Sequence, residues 1–129
     1  MELSADHNRV SGAIVDSAFA VHQALGPGLL ESVYEQCLAL ELRTRGLAVA
    51  QQVSQPVTYR GAKIDAGFRL DLVVEELVVV EVKAADRLLP VHDAQLLTCL
   101  KLSGRRLGLL INFNVPRIKE GIKRLVLSE

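Results

Sequence analysis

Three residues in one short stretch, FRLDLVVEELVVVEVKA, have types and spacing that could do chemistry: Asp71, Glu81 and Lys83. Two apolar runs meet there at Glu75-Glu76, a polar tip suited to a tight hairpin. Side chains alternate faces along a strand, so whether the two carboxylates meet depends on the parity of that tip. A two-residue tip pairs Asp71 with Val80 and puts the acids on opposite faces, whereas a three-residue tip, Glu75 to Leu77, sets Asp71 opposite Glu81. An odd-numbered or bulged loop is therefore expected. Two carboxylates brought together on buried strands repel and lose hydration, which is tolerable only with a cation or a proton between them. A hard divalent ion, Mg²⁺ or Mn²⁺, takes oxygen ligands and keeps several waters, so Asp71, Glu81 and a backbone carbonyl such as that of Val82 would suffice. Lys83, two residues beyond Glu81 and on the same face, could orient an attacking water and offset charge developing on a phosphate. A bare Glu-x-Lys is common, and its ordinary meaning is an ion pair at a strand end.

Other polar residues could join the group. Glu31 stands near the start of a helix in GPGLLESVY (residues 26 to 34), where the helix dipole alone favours a carboxylate. It shares a face with Tyr34 and Leu38, so a helix packed across the sheet could deliver it as a third acid and metal ligand. On a later helix His92 and Gln95 are three apart and point the same way. A histidine in a first turn more often caps or faces solvent, so Gln95 is the better catalytic candidate.

The elements that must position these residues follow from periodicity. Val10, Ile14, Ala18, Val21 and Leu25 have helical spacing, and Gly26-Pro27-Gly28 stops that helix. A second helix is expected from Leu29 to about Arg45, with Leu30, Val33, Cys37 and Leu40 on one stripe, Tyr34, Leu38 and Leu42 beside it, and Gly46 as its cap. Strands are expected over Val49–Val53, Val57–Tyr59 and, after a turn at Arg60-Gly61-Ala62, Ile64–Val74. The nearly unbroken apolar run Leu77–Val82 suits a central strand buried on both faces. Pro90 opens a helix to about Leu102, Leu107–Phe113 is another buried strand, Asn114–Pro116 is a turn, and Ile122–Leu127 alternates with a basic outer face.

Length and composition narrow the possibilities. A chain of 129 residues that is 50% hydrophobic can form one compact domain with a real core, here residues 1–129, but not two ordinary ones. No apolar run approaches the roughly 20 residues a membrane span requires, and the N-terminus lacks the build of a signal peptide, so a cytoplasmic protein without membrane association is expected. Cys37 and Cys99 are isolated, which fits a reducing compartment. Fifteen basic side chains balance fifteen acidic ones, so net charge gives no reason to expect a nucleic-acid partner. The distribution is less even: residues 100 to 129 hold seven basic and two acidic side chains, enough for a basic surface.

The segment VHQALGPGLLESVYE (residues 21 to 35) resembles the pattern of the GxxExxY protein family through Gly28, Glu31 and Tyr34, and that family is assigned to the PD-(D/E)XK nuclease superfamily. The likeness continues through LDLVV (70 to 74), VEVKA (80 to 84), HDAQLLTCLKLSG (92 to 104) and LGLLINFN (107 to 114). It implies an α/β fold, a mixed central sheet flanked by helices with a restriction-endonuclease-like core of helix, three strands, helix and strand, plus an extra N-terminal helix. It further implies that Glu31, Asp71, Glu81, Lys83 and Gln95 are the site residues. His22 and Tyr34 also match, with a core-packed, hydrogen-bonded role expected, while Cys99 departs from the pattern where an aromatic is expected. The implied activity is metal-dependent phosphodiester hydrolysis of nucleic acid, DNA ahead of RNA, with Mg²⁺ or Mn²⁺ as cofactor. Competing with it are a non-catalytic binding or assembly module acting through a protein partner and a homodimer formed through the helical N-terminal half.

Overall fold

A computed structural model of the chain describes residues 3–128. The first helix, α1 (Ala5–Leu25), starts earlier than periodicity suggests, because Ser4 caps it: the Ser4 hydroxyl accepts from the His7 amide and the His7 ring accepts from the Ser4 amide. Gly26, at φ +68°, ends it. Then follow α2 (Glu31–Thr44), β1 (Val49–Ser54), a short hairpin of β2 (Val57–Tyr59) and β3 (Ala62–Ile64), β4 (Arg69–Val74), β5 (Val78–Lys83), α3 (Pro90–Ser103), β6 (Leu107–Asn112), a 3-10 turn at Ile118–Gly121, and β7 (Ile122–Val126).

Five strands form one mixed sheet in the order β1-β4-β5-β6-β7, antiparallel except for β5 and β6, which the crossover through α3 makes parallel. The apolar run on β5 is buried on both sides, as expected of a central strand. Val78, Val80 and Val82 pack with Leu72, Leu109 and the helices α1 and α2, while Val79 faces Leu96, Cys99 and Leu100 of α3. The result is three layers, with α1 and α2 on one face and α3 on the other. On α2 the core takes Tyr34, Leu38 and Leu42, leaving Leu30 and Leu40 exposed. Gly108 lets α3 lie close to the sheet, since a Cβ there would stand 2.9 Å from Leu96 Cδ1.

One expected strand divides. Ile64 to Val74 is not continuous, because Asp65-Ala66-Gly67 turns out of the strand path: Gly67 has φ +79° and its amide donates to Asp65 Oδ1. β2 and β3 consequently pair only with each other, apart from the main sheet. The turn before β7 also contains a helical segment that alternation did not reveal.

Candidate functional site

The hairpin between β4 and β5 determines whether the acids meet. Glu75 and Glu76 have φ of 54° and 55°, the Leu77 amide donates to the Val74 carbonyl, and yet Val74 faces Val78. A two-residue turn is thus followed by a bulged Leu77, and three residues separate the strands. The register Val74↔Val78, Val73↔Val79 and Leu72↔Val80, carried one step further, sets Asp71 opposite Glu81.

At that step the ladder opens. The Val82 amide donates to Asp71 Oδ2 at 2.9 Å, and the Asp71 amide reaches Glu81 Oε1 at 3.5 Å. The Lys83 carbonyl accepts the Phe113 amide on the β6 side, so the Val82 carbonyl, one residue earlier, turns to the β4 side. Asp71, Glu81 and Lys83 line one cleft of about 290 Å³ with Arg69, Gln95 and Cys99, and with Phe68 and His92 at its sides. Burial raises Glu81 from 4.5 to about 8, and the charge of Asp71 adds to the rise; Lys83 opposes it only weakly. Burial and mutual repulsion thus favour a proton, or a cation in its place, on the Asp71–Glu81 pair.

Cys99 stands 3.9 Å from Glu81 Oε1, and burial followed by the charges of Glu81 and Asp71 pushes its thiol up to about 12. It is a neutral lining residue rather than a nucleophile. His92 accepts the Leu89 amide through Nδ1 at 2.9 Å, so it caps α3 and also borders the cleft.

Glu31 does not line this cleft. It occupies the first turn of α2 and is exposed. The acid that α2 does bring inward is Glu35, 8% exposed, one turn later and next to the buried residues Leu38, Ala39 and Leu42. Its carboxyl is held by Gln52 Nε2 at 2.8 Å and Gln51 Nε2 at 3.2 Å. Burial raises its pKa, those amides lower it in part, and Asp71 contributes to the rise. Gln52 faces Asp71 across the β1–β4 ladder with φ +51°, a left-handed kink inside a strand, and the same side-chain amide lies 3.4 Å from Asp71 Oδ1. Gln52 thereby links the acid on α2 to the acid on β4. Spacing against Leu38 and Leu42 marks Glu35 as inward-facing, whereas nothing in the sequence signals the Gln52 kink.

The remaining matches to the family pattern do structural work. Tyr34 is fully buried, stacked on Phe113 at 4.6 Å and 7°, and its hydroxyl donates to the Gly26 carbonyl while accepting the Leu29 amide. His22 Nε2 lies 2.8 Å from the Val115 carbonyl, and Asn114 Oδ1 accepts the Gly28 amide. Tyr34, His22 and Gly28 tie the Gly26–Leu29 turn to the end of β6.

The sequence profile of the PD-(D/E)XK nuclease superfamily matches residues 8–125. The chain belongs to that superfamily. The three-layer fold with its mixed sheet agrees with the superfamily's restriction-endonuclease-like architecture. No curated protein and no solved structure gives a significant match.

Superfamily members typically use divalent metal ions, and the donors here fit one. Asp71 and Glu81 supply oxygens on one side of the opened ladder, with the Val82 carbonyl aimed the same way. Burial and the facing Asp71 both raise Glu81, so a cation at this pair would offset the cost of holding two carboxylates together. Among the described residues no group of three or more His, Cys, Asp or Glu forms a metal cage. Such a sparse set suits a divalent ion that keeps several of its waters better than one that requires a full protein shell.

Proposed function

We propose that this protein is a metal-dependent nuclease that hydrolyses phosphodiester bonds in nucleic acid, with Asp71, Glu81 and the Val82 carbonyl as metal ligands and Lys83 as the water-orienting cation. The observation that carries this reading is the pairing of Asp71 with Glu81 across the opened end of the β4–β5 ladder, with Lys83 in the same cleft. A bound Mg²⁺ or Mn²⁺ supplies stabilisation of the charge that grows on the scissile phosphate and eases deprotonation of water. The chain's own residues do the positioning. The Val82 amide and the Gln52 side chain fix the Asp71 carboxylate, and Lys83 lines the same cleft, where its ammonium would hold water in line with phosphorus. Gln95, exposed on α3 at the rim, is placed to hold a phosphate oxygen or that water. Glu31 is reserved for a secondary role: as an exposed acid near Glu35 it could help retain a second cation. The narrower assignment to the GxxExxY family rests on the resemblance in residues 21 to 35.

The test is incubation with single- and double-stranded DNA and RNA in Mg²⁺ or Mn²⁺, with Lys83→Ala as control. Cleavage by the wild type that falls at least about a hundredfold in the variant is expected. If no substrate is cut, or Lys83→Ala cuts equally well, the nuclease reading fails and a binding module acting through a protein partner takes its place.

A further inference from the structure

The β2–β3 hairpin serves no evident structural purpose. It pairs only with itself, and none of its strand residues is buried. The register Val57↔Ile64, Thr58↔Lys63 and Tyr59↔Ala62 leaves Arg60-Gly61 as a two-residue tip, with φ of 50° and 79°. Tyr59, 65% exposed, is the most exposed aromatic side chain among the described residues, and Ile64 is 45% exposed.

Its charge is equally distinctive. From Val57 to Ile64 there are two cations, Arg60 and Lys63, and no acid. Neither has an ion pair among the described residues, and the next acid, Asp65, accepts the amide of its own loop. Part of the basic C-terminal quarter is committed elsewhere: Lys123 pairs with Asp93, Arg105 with Glu76, and Arg124 binds Asn8 and Ser11 on α1. Tyr59, opposite Ala62, and Lys63, opposite Thr58, face the two sides of the ribbon, with Arg60 at its tip; uncommitted cations and an exposed aromatic ring on one ribbon are the surface chemistry of phosphate contact and base or sugar contact.

Location joins this surface to the acid pair. The chain returns from the hairpin through Phe68 and Arg69, which line the cleft with Asp71 and Glu81. Phe68 follows Ile64 by four residues, at most about 14 Å of extended chain, so a polymer with one phosphate in that cleft would carry its next few phosphates within reach of the hairpin. A two-stranded ribbon fits the major groove of B-form DNA, whereas the major groove of an A-form RNA helix is too deep and narrow to admit it.

We propose that the β2–β3 hairpin is a finger that grips duplex DNA beside the cleft, with Arg60 and Lys63 on phosphates and Tyr59 against the groove. This inference rests on the nuclease reading and adds the substrate class to it.

The test is fluorescence anisotropy of the full chain with matched duplex DNA, duplex RNA and single-stranded DNA in EDTA, over a salt series. The variants are Tyr59→Ala and the double variant Arg60→Asn, Lys63→Gln; asparagine tolerates the left-handed φ at position 60. For duplex DNA the double variant should bind about tenfold more weakly and lower the slope of log affinity against log salt by about 2, or roughly one per lost phosphate contact. Tyr59→Ala should weaken binding at an unchanged slope, and all variants should keep the wild-type melting temperature and Mn²⁺ affinity. Unchanged duplex affinity and slope in the double variant overturns the finger, as does an equal loss for duplex RNA or single strands. A wild type that cuts DNA while binding it independently of the hairpin overturns the finger alone; one that neither binds nor cuts any nucleic acid overturns the nuclease reading with it.

Discussion

Two polar clusters sit at ends of the sheet, and they are built on opposite terms. Around the Gly26–Leu29 turn, Tyr34, His22 and Asn114 each have a hydrogen bond to backbone, and Asn112 does the same with Ala85 through both ends of its amide. At the cleft Asp71 accepts the Val82 amide and the Gln52 side chain, but it also faces a second acid, Glu81, which burial and Asp71 raise to about 8. Satisfied polar groups fix the chain, while a buried group at odds with its neighbours is arranged for something that arrives later. Polar residues at the two places thus divide into those that hold the scaffold and those that the nuclease reading assigns to a ligand.

The largest effect expected from this contrast is on stability. Tyr34→Ala should cost about 3–5 kcal/mol through the cavity beside Phe113 and the lost hydroxyl bonds, measured by urea unfolding. A cost below about 1 kcal/mol would dissolve the distinction between the clusters. Metal affinity should change next. Binding must displace the Glu81 proton, so Mn²⁺ affinity by calorimetry should rise about tenfold per pH unit from 6 to 8 and level off above; a flat profile would place the metal elsewhere.

The same proton gives stability a sign. Glu81 titrates near 8 in the fold against 4.5 as the ordinary value, so between those pH values the folded state holds a proton that the unfolded chain has lost. Without metal, stability should therefore fall as pH rises from about 4.5 to about 8 and stay reduced above it. Glu81→Gln, which carries no charge, should flatten that decline in thermal melts. The smallest effect concerns the kink at Gln52. Both Gln52→Ala and Gln52→Gly lose the amide that touches Glu35 and Asp71, but only alanine bears the steric cost of a left-handed φ. The glycine variant should be about 1 kcal/mol more stable than the alanine variant, and equal stabilities would mean that the kink relaxes.

Much of this was legible in the sequence. The period of two along buried strands tied the fate of Asp71 and Glu81 to one loop, and Leu77 as a bulge supplied the odd parity. Apolar runs identified β5 and β6 as central, and the Gly-Pro-Gly stop separated the first two helices. Tertiary geometry was harder to read. Glu31 and Glu35 lie one turn apart on α2, and although spacing against Leu38 and Leu42 turns Glu35 inward, only the position of the helix over the sheet brings it, through Gln52, to Asp71. A left-handed residue within β1 has no compositional signal when it is glutamine, and the break before β4 depended on a short Asp-Ala-Gly turn amid residues that otherwise suit a strand.

The central claim, that Asp71 and Glu81 form an acid pair completed by a divalent cation, is tested most directly by calorimetric titration of Mn²⁺ into the wild type and Asp71→Ala at pH 8. Binding at one or two sites in the wild type, weakened at least about a hundredfold in the variant, is the result the structure predicts. Equal Mn²⁺ binding by both proteins, or none by either, would contradict it.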